Sequence, residues 1–143
     1  MGHRTLLQCA ASVICVDAEG RILLGKRTDN HQWGYAGGSV EIDEKVEDAA
    51  ARELLEETGL TADDLEFFYV NSGPEAHYIY PNGDEVSNIE IVYLCRRYHG
   101  ALHPQLSEMS ELRFFAPEEI DLEMISPPIR HVVRKYMEMT QKG

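Results

Sequence analysis

The sequence has little of what disulfide-linked or zinc-stabilised small domains depend on. Its 143 residues include three cysteines, Cys9, Cys15 and Cys95, an odd number without C-x-x-C spacing. This pattern disfavours both a paired disulfide framework and a cysteine zinc site. Because all three lie in apolar, strand-like stretches, we expect them to be buried, reduced thiols.

Positive charge is also scarce. Lys and Arg together number 13 against 25 Asp and Glu, which leaves a net charge of −12. A surface of that sign repels the phosphate backbone of a polynucleotide. Long nucleic acid is therefore disfavoured as a partner.

Long apolar runs are absent as well. No stretch approaches the roughly 20 apolar residues of a membrane-spanning helix, and the first residues lack the charged-then-apolar order of a secretion signal. We therefore expect no membrane partner and, by default, a cytoplasmic location. The 143 residues contain no repeats and no linker, so residues 1–143 are predicted to form a single domain.

What the sequence has in excess is acid, concentrated in the segment Gly38–Leu60. Within it Glu53, Glu56 and Glu57 are spaced i, i+3 and i+4, so they project from one side of a helix. The same helical wheel places Leu54 and other apolar residues on an overlapping arc, which aims the acids partly toward the protein body. An unpaired carboxylate is expensive to bury. A multivalent cation among these side chains would remove that cost.

Mg²⁺ fits this pattern because it is typically held by one or two carboxylates, waters and substrate phosphate oxygens. We therefore predict Mg²⁺ as the cofactor, with Mn²⁺ as a substitute. The alternative is a solvated, Glu-rich surface helix, which is the usual reason for a run of like charge. A solvated face would carry its glutamates opposite the alanines, and this helix does not.

The spacing of the whole segment resembles the Nudix box, G-x5-E-x7-R-E-U-x-E-E-x-G-U, where U is apolar. The matching positions are Gly38, Glu44, Arg52, Glu53, Leu54, Glu56, Glu57, Gly59 and Leu60. The resemblance implies an α/β protein with the Nudix-type α-β-α sandwich and a mixed β-sheet. It also implies an enzyme, a pyrophosphohydrolase that cleaves the diphosphate linkage of a nucleoside diphosphate joined to another moiety. The expected partner is a small nucleotide-derived substrate, and a homodimer stays open.

Several residue roles follow from the resemblance. Glu53, Glu56 and Glu57 are implied as the metal-binding carboxylates, and the backbone carbonyl of Gly38 as a further ligand. All four belong to one continuous segment, so the expected metal site is largely local in sequence.

The resemblance implies two kinds of catalytic role, a positioning pair and a general base. Glu44 and Arg52 are implied to pair and to orient the cluster. The general base is left open between Glu53 and an acid of a later loop, Glu108 or Glu111.

On the substrate side, Arg27 lies at the end of a predicted strand, directly after residues 21–26, where family members often carry a phosphate-contacting arginine. Glu41, between Gly38 and Glu44, is a further candidate for substrate binding or for the metal cluster, with an ordinary polar loop residue as the alternative. Tyr78 and Tyr80 alternate with Ile79, so both should lie on one face of their strand. Packing is the default interpretation of such a pair, and stacking on a nucleobase is the alternative. The loops around 29–35, 72–77 and 101–110 should select the substrate, and they carry no signature that identifies it.

Two positions depart from the common family pattern. Many relatives have Pro-Gly-Gly where this chain has Ala36-Gly37-Gly38, and Gly where it has Asp43. Asp adopts left-handed backbone more readily than most residues and is a good helix N-cap. We therefore expect Asp43 to be tolerated and to cap the helix.

Periodicity predicts a mixed sheet flanked by helices. The helix of the box should run from about Glu44 to Thr58, with Gly59 at its end. The turn Pro81-Asn82-Gly83-Asp84 is a hairpin signal. Strands are expected at 6–16, 21–26, 65–70, 76–80, 86–96 and 111–115, and a C-terminal helix at 128–139.

Three other functions share the expected fold. A catalytically silent nucleotide-binding domain would have no use for the clustered carboxylates. A prenyl diphosphate isomerase calls for a reactive cysteine and a degenerate box. An RNA 5′-end pyrophosphohydrolase is disfavoured by the acidic charge.

Overall fold

Two eleven-residue strands, β1 (Thr5–Cys15) and β8 (Glu85–Cys95), run parallel at the centre of the molecule. A computed structural model describes residues 5–80 and 82–141 of the chain. The C-terminal halves of both strands are buried on both faces. Such two-sided burial is typical of strands in the middle of a sheet that is covered on both sides.

Three further strands complete a five-stranded sheet. β4 (Ala36–Ser39) pairs antiparallel with β1. β6 (Glu66–Asn71) and β7 (His77–Ile79) both pair antiparallel with β8. The sheet is therefore mixed, as predicted.

Two smaller sheets flank the central one. The first consists of β10 (Met109–Phe115), β2 (Ile22–Arg27) and β3 (Trp33–Gly34). The second pairs β5 (Leu60–Ala62) with β9 (Tyr98–Gly100). Periodicity missed β3, β4, β5 and β9 because two to four residues are too few to show alternation.

One helix covers each face of the central sheet. α1 (Val46–Thr58) packs on the face that carries Val13 and Tyr93, and α2 (Arg130–Gln141) on the face that carries Ile14. The predicted α/β architecture of helix, mixed sheet and helix is confirmed. The helix residues that belong to the hydrophobic core are Ala49, Ala50 and Leu54 of α1, and Val132, Val133 and Tyr136 of α2.

The start of α1 differs from the prediction, and its end does not. Lys45 is the N-cap, with φ −70° and ψ 142°. Asp43 has φ 65°, so it does adopt left-handed backbone, but the prediction that it caps the helix is wrong. Gly59, with φ 83°, ends α1 as predicted, and its N–H donates to the carbonyl of Leu55 at 3.0 Å.

The burial of the cysteines needs one correction. Cys15 and Cys95 are buried, as expected, but Cys9 is exposed. The first residues of β1 are mostly exposed, whereas Ala11–Cys15 are buried in the cores that include residues of the two helices.

The predicted hairpin joins β7 to β8. Gly83 has φ 94°, and the Tyr80 N–H donates to the carbonyl of Asp84 at 2.8 Å. Pro81 of the predicted turn lies outside the described residues. Within residues 5–80 and 82–141, neither helix has both the length and the apolar composition needed to cross a bilayer.

Candidate active site

A polar cavity of about 470 Å³ lies where α1, β4 and the segment before β10 meet. It is where the fold brings most of the predicted site residues together, although Glu44 and Glu56 are outside its lining. The predicted residues that line it are Arg27, Gly38, Glu41, Arg52, Glu53, Glu57 and Glu108.

Glu57 is the most buried acid of α1, with 3% of its surface exposed. It follows Glu53 by one helical turn, and its Oε1 accepts a hydrogen bond from the Gly37 backbone N–H at 2.7 Å. Burial, together with the nearby Glu53 and Glu108 carboxylates, raises the pKa of Glu57 to about 8. A carboxyl group in this environment holds a proton, or a cation, near neutral pH.

This raised pKa predicts how the stability of the metal-free protein depends on pH. The folded-state pKa of Glu57 is about 8, above its ordinary 4.5, so the folded chain holds this proton more tightly than the unfolded chain. The resulting stability is complete below about pH 4.5 and is lost as the pH rises through about 8. Glu57→Gln removes this loss. Above pH 8 its free energy of unfolding should exceed that of the wild type by on the order of 2 kcal/mol or more.

Urea unfolding of both proteins in the presence of a chelator, at several pH values, measures this difference. Glu47→Gln is the matched control, since Glu47 is an exposed acid of the same helix. A difference between wild type and Glu57→Gln that does not change with pH would show that Glu57 is not the group holding the proton.

Arg52 ties several parts of the segment together. Its guanidinium donates to both carboxylate oxygens of Glu44, at 2.9 and 3.0 Å, in bidentate geometry. It also donates to Glu53 Oε1 and to the Ser39 carbonyl, each at 3.0 Å. Hydrogen bonds from Arg52 and from the Glu41 backbone N–H lower the pKa of Glu44 to about 2. Glu44 is therefore ionised near neutral pH and anchors the guanidinium.

The Glu53 carboxylate lies directly against the backbone of Gly38. A Cβ atom at position 38 would overlap that carboxylate, so glycine is what allows β4 and α1 to approach this closely. Burial raises the pKa of Glu53, although the hydrogen bond from Arg52 opposes the change. The backbone of β4 and two acids of α1 thus form one wall of the cavity.

The other predicted acids lie around the rim. Glu108 is exposed and lines the cavity, whereas Glu111 of β10 lies outside it. The Glu41 side chain is 70% exposed and 3.9 Å from Arg52. Glu56 is 51% exposed, and its carboxylate lies 3.5 Å from Arg52 Nη1. In the described part of the chain, no three His, Cys, Asp or Glu side chains converge as a preformed metal site.

A second cavity of about 240 Å³ adjoins the first, and Arg27, Asp29, Gly37 and Gly38 line both. Arg27 donates two hydrogen bonds to Asp29, at 3.0 and 2.9 Å, which hold its guanidinium at the junction. The wall of this second cavity includes the aromatic residues Tyr35, Tyr78 and Tyr80. Its polar residues include Ser12, Asn71, Asn88, Glu90 and Ser126.

Sequence reasoning missed these polar residues of the second cavity. One signal was available: Glu90 falls on the alternation of β8 at a position that should face the core. A single acid in an otherwise apolar strand face indicates either a polar network or a ligand site.

Comparison with known proteins finds sequences and structures similar to this chain. A family model described as NUDIX domain matches residues 6–136. Among solved structures, a MutT NUDIX hydrolase from Burkholderia pseudomallei is 26% identical, with a TM-score of 0.75, over 92% of this chain and 96% of that one. The predicted sandwich is therefore shared with a solved structure.

Curated relatives match over shorter stretches. A MutT-like protein of Streptomyces ambofaciens is 29% identical over 113 residues, which are 78% of this chain and 65% of that protein. An RNA pyrophosphohydrolase of Histophilus somni is 42% identical over 59 residues, 41% of this chain and 30% of the relative. This chain spans less than two thirds of the length of either relative.

Proposed function

Because this chain belongs to the Nudix family, we propose that it hydrolyses the diphosphate linkage of a small nucleotide-derived substrate with a divalent cation. The observation that carries the proposal is the buried Glu57 carboxylate, held beside Glu53 against the β4 glycines. Holding two acids in so little solvent is costly without a cation. The names of the relatives, a MutT-like protein and an RNA pyrophosphohydrolase, support a pyrophosphohydrolase.

The donor set of the cavity fits Mg²⁺, with Mn²⁺ as a substitute. We propose that Glu53, Glu56 and Glu57 hold the metal with their carboxylates, and that Gly38 contributes its backbone carbonyl. These are hard oxygen donors, which Mg²⁺ prefers. The described residues that line the cavity include no Cys or His. The nitrogen and sulfur ligands that Zn²⁺ prefers are therefore missing from this lining.

A bound Mg²⁺ supplies a water of lowered pKa and neutralises charge on phosphate oxygens. The side chains of the protein position the substrate and the metal-binding carboxylates. Arg27, at the junction of the two cavities, binds substrate phosphate oxygens, and Glu41, whose carboxylate is 3.9 Å from Arg52, contacts the substrate from the same cavity. Arg52, itself held by Glu44, keeps the Glu53 carboxylate in place.

Two acids are candidates to accept the proton of the attacking water. Glu53 lines the cavity, and burial raises the pKa of its carboxyl group above the ordinary value. Glu108 lines the same cavity from another segment of the chain. Glu111 lies outside the lining and is the weaker candidate.

A substrate panel tests the proposal. Nucleoside triphosphates, nucleotide sugars, dinucleotides and ADP-ribose are incubated with Mg²⁺, with Mn²⁺ or with a chelator, and products are identified by mass. We expect cleavage at a diphosphate bond only when a divalent cation is present, and ¹⁸O water identifies the phosphorus attacked. No turnover of any substrate with either metal would overturn the proposal, and calorimetric binding without turnover would indicate a silent nucleotide-binding domain.

An RNA 5′-end pyrophosphohydrolase is the second candidate, because the Histophilus somni relative carries that name. The net charge of −12 argues against a grip on long RNA. A 5′-triphosphorylated oligonucleotide in the same panel separates the two. A cytoplasmic location and a homodimer stay predictions, for cell fractionation and analytical ultracentrifugation to test.

A further inference from the structure

The helix α1 covers only one end of the sheet face on which it packs. Side chains of β1 and β8 alternate between the two faces of the central sheet, so the odd-numbered positions share the face of α1. Val13 and Tyr93 of this face are buried in the core that α1 completes. Nearer the N-terminal ends of the same strands, Ile89 is partly exposed and Leu7 is 70% exposed. This end of the face is therefore in contact with solvent.

The strands beside β8 extend the exposed area. Phe67 and Val70 of β6 and Ile79 of β7 are register partners of odd-numbered residues of β8. Directly opposite residues of paired strands project to the same side of a sheet, so all three lie on the face of α1. We call this surface the open face, and its apolar members are Leu7, Cys9, Phe67, Val70, Ile79 and Ile89.

The open face is large for an apolar surface in water. Four of its members, Leu7, Phe67, Val70 and Ile79, are 43% to 70% exposed. With about 200 Å² for a fully exposed large apolar residue, these four present roughly 450 Å². The largest apolar patch on a typical monomer covers about 300–600 Å² and is often functional. The open face therefore has the size of an interaction surface.

The open face offers almost no charge to a partner. Of the side chains that β1, β6, β7 and β8 direct to this side, all of them described, only those of Glu85 and His77 are acidic or basic. Glu85 Oε2 accepts a hydrogen bond from the Thr5 hydroxyl at 3.2 Å and lies 3.1 Å from His77 Nε2. These groups already have partners, so a strongly charged partner would find no opposite charge to pair with on these strands.

We infer that the open face binds the open face of a second copy of this chain in a two-fold symmetric homodimer. Two-fold symmetry brings the same patch of both copies together, and a second copy supplies an uncharged apolar face of equal area. A stable interface buries about 800 Å² on each partner, about 65% of it apolar in homodimers. The open face with a polar rim is large enough for that. The inference goes beyond the proposed function and does not rest on it, since residues of the second cavity such as Glu90 lie on the opposite face of β8.

Sedimentation of the full chain is the first test. We expect a monomer–dimer equilibrium with a Kd of about 10 µM, measured by analytical ultracentrifugation between about 1 µM and about 1 mM protein. Each copy carries a net charge of −12, so added salt should strengthen the association by screening the repulsion between copies. A monomer at all concentrations, or an association that weakens as salt is added, would overturn the inference.

Cys9 reports on the open face itself. It is exposed, whereas Cys15 and Cys95 are buried, so iodoacetamide should label Cys9 in the folded chain. If two open faces meet, the alkylation rate of Cys9 should fall about tenfold between the lowest and the highest protein concentration. A rate that does not change with concentration would overturn the inference. If that constant rate were slow, another part of the same chain would cover the face.

Two substitutions test the contact from different strands. Leu7→Glu and Phe67→Glu each place a charge on the open face, and Leu106→Glu is the matched control, since Leu106 is 71% exposed and lies between β9 and β10. We expect each open-face variant to raise the Kd about 100-fold or more and the control to leave it unchanged. A dimer that persists in both open-face variants would use another surface and overturn the inference. Thermal unfolding shows whether each variant folds, and the Cys9 alkylation of the wild type decides the matter if they do not.

Discussion

The Glu57→Gln variant is expected to lose about 10³-fold or more in turnover while keeping its fold. Glu57 is 3% exposed beside the β4 backbone, so its carboxylate is the acid of α1 most shielded from competing water. Gln has nearly the same shape but no negative charge, and it cannot compensate the charge of a divalent cation. The measurement is kcat on the best substrate of the panel across a range of Mg²⁺ concentrations.

Two comparisons separate this loss from a folding defect. Glu47→Gln makes the same substitution on the exposed side of α1 and should retain wild-type turnover. The metal-free Glu57→Gln protein should also be more stable than the wild type above pH 8, since it no longer buries an ionised carboxylate. Full activity in Glu57→Gln would remove Glu57 from the proposed metal site.

The Arg52→Lys variant is expected to lower turnover by about 10- to 100-fold although it keeps the positive charge. Arg52 makes two parallel hydrogen bonds to Glu44 and further bonds to Glu53 and Ser39. A lysine ammonium cannot reproduce this fork. The Glu53 carboxylate should then lose its fixed position, so metal affinity should fall together with kcat.

Arg97→Lys is the matched control, because Arg97 pairs with Asp64 on the surface and is 74% exposed. Combining Arg52→Lys with Glu44→Gln completes a double-mutant cycle. If Glu44 acts through Arg52, the double variant should lose little more than either single variant. Additive losses would contradict that coupling, and an unchanged metal dependence in Arg52→Lys would contradict the positioning role.

The acidic cluster could be predicted because its residues belong to one continuous segment. Helix geometry is set by local backbone hydrogen bonds, so the spacing of Glu53 and Glu57 was enough to place them on one side of α1. The structure also contains the predicted pairing of Glu44 with Arg52, although Glu44 precedes the helix. Roles in metal binding and catalysis stay predictions until the experiments above are done.

Sequence spacing could not rank the three acids of the helix. Glu57 is buried and Glu56 is half exposed because β4 packs over one edge of α1 and leaves the other edge open. A helical wheel gives directions around an axis but contains no information about which neighbour lies there. The helical wheel also did not predict that Lys45 is the N-cap. Asp43 has left-handed backbone with φ 65°, so α1 begins after it.

The chain by itself determined its family, its layers and the local order of the acidic helix, since each depends on short-range spacing and on alternation along single strands. Only the tertiary structure decided what the second cavity contains. Ser12 and Glu90 are 78 positions apart and meet because β1 and β8 run parallel in one register. Asn71 joins them because β6 pairs with the other side of β8. Contacts between such distant segments arise from strand pairing, which no local pattern in the sequence records.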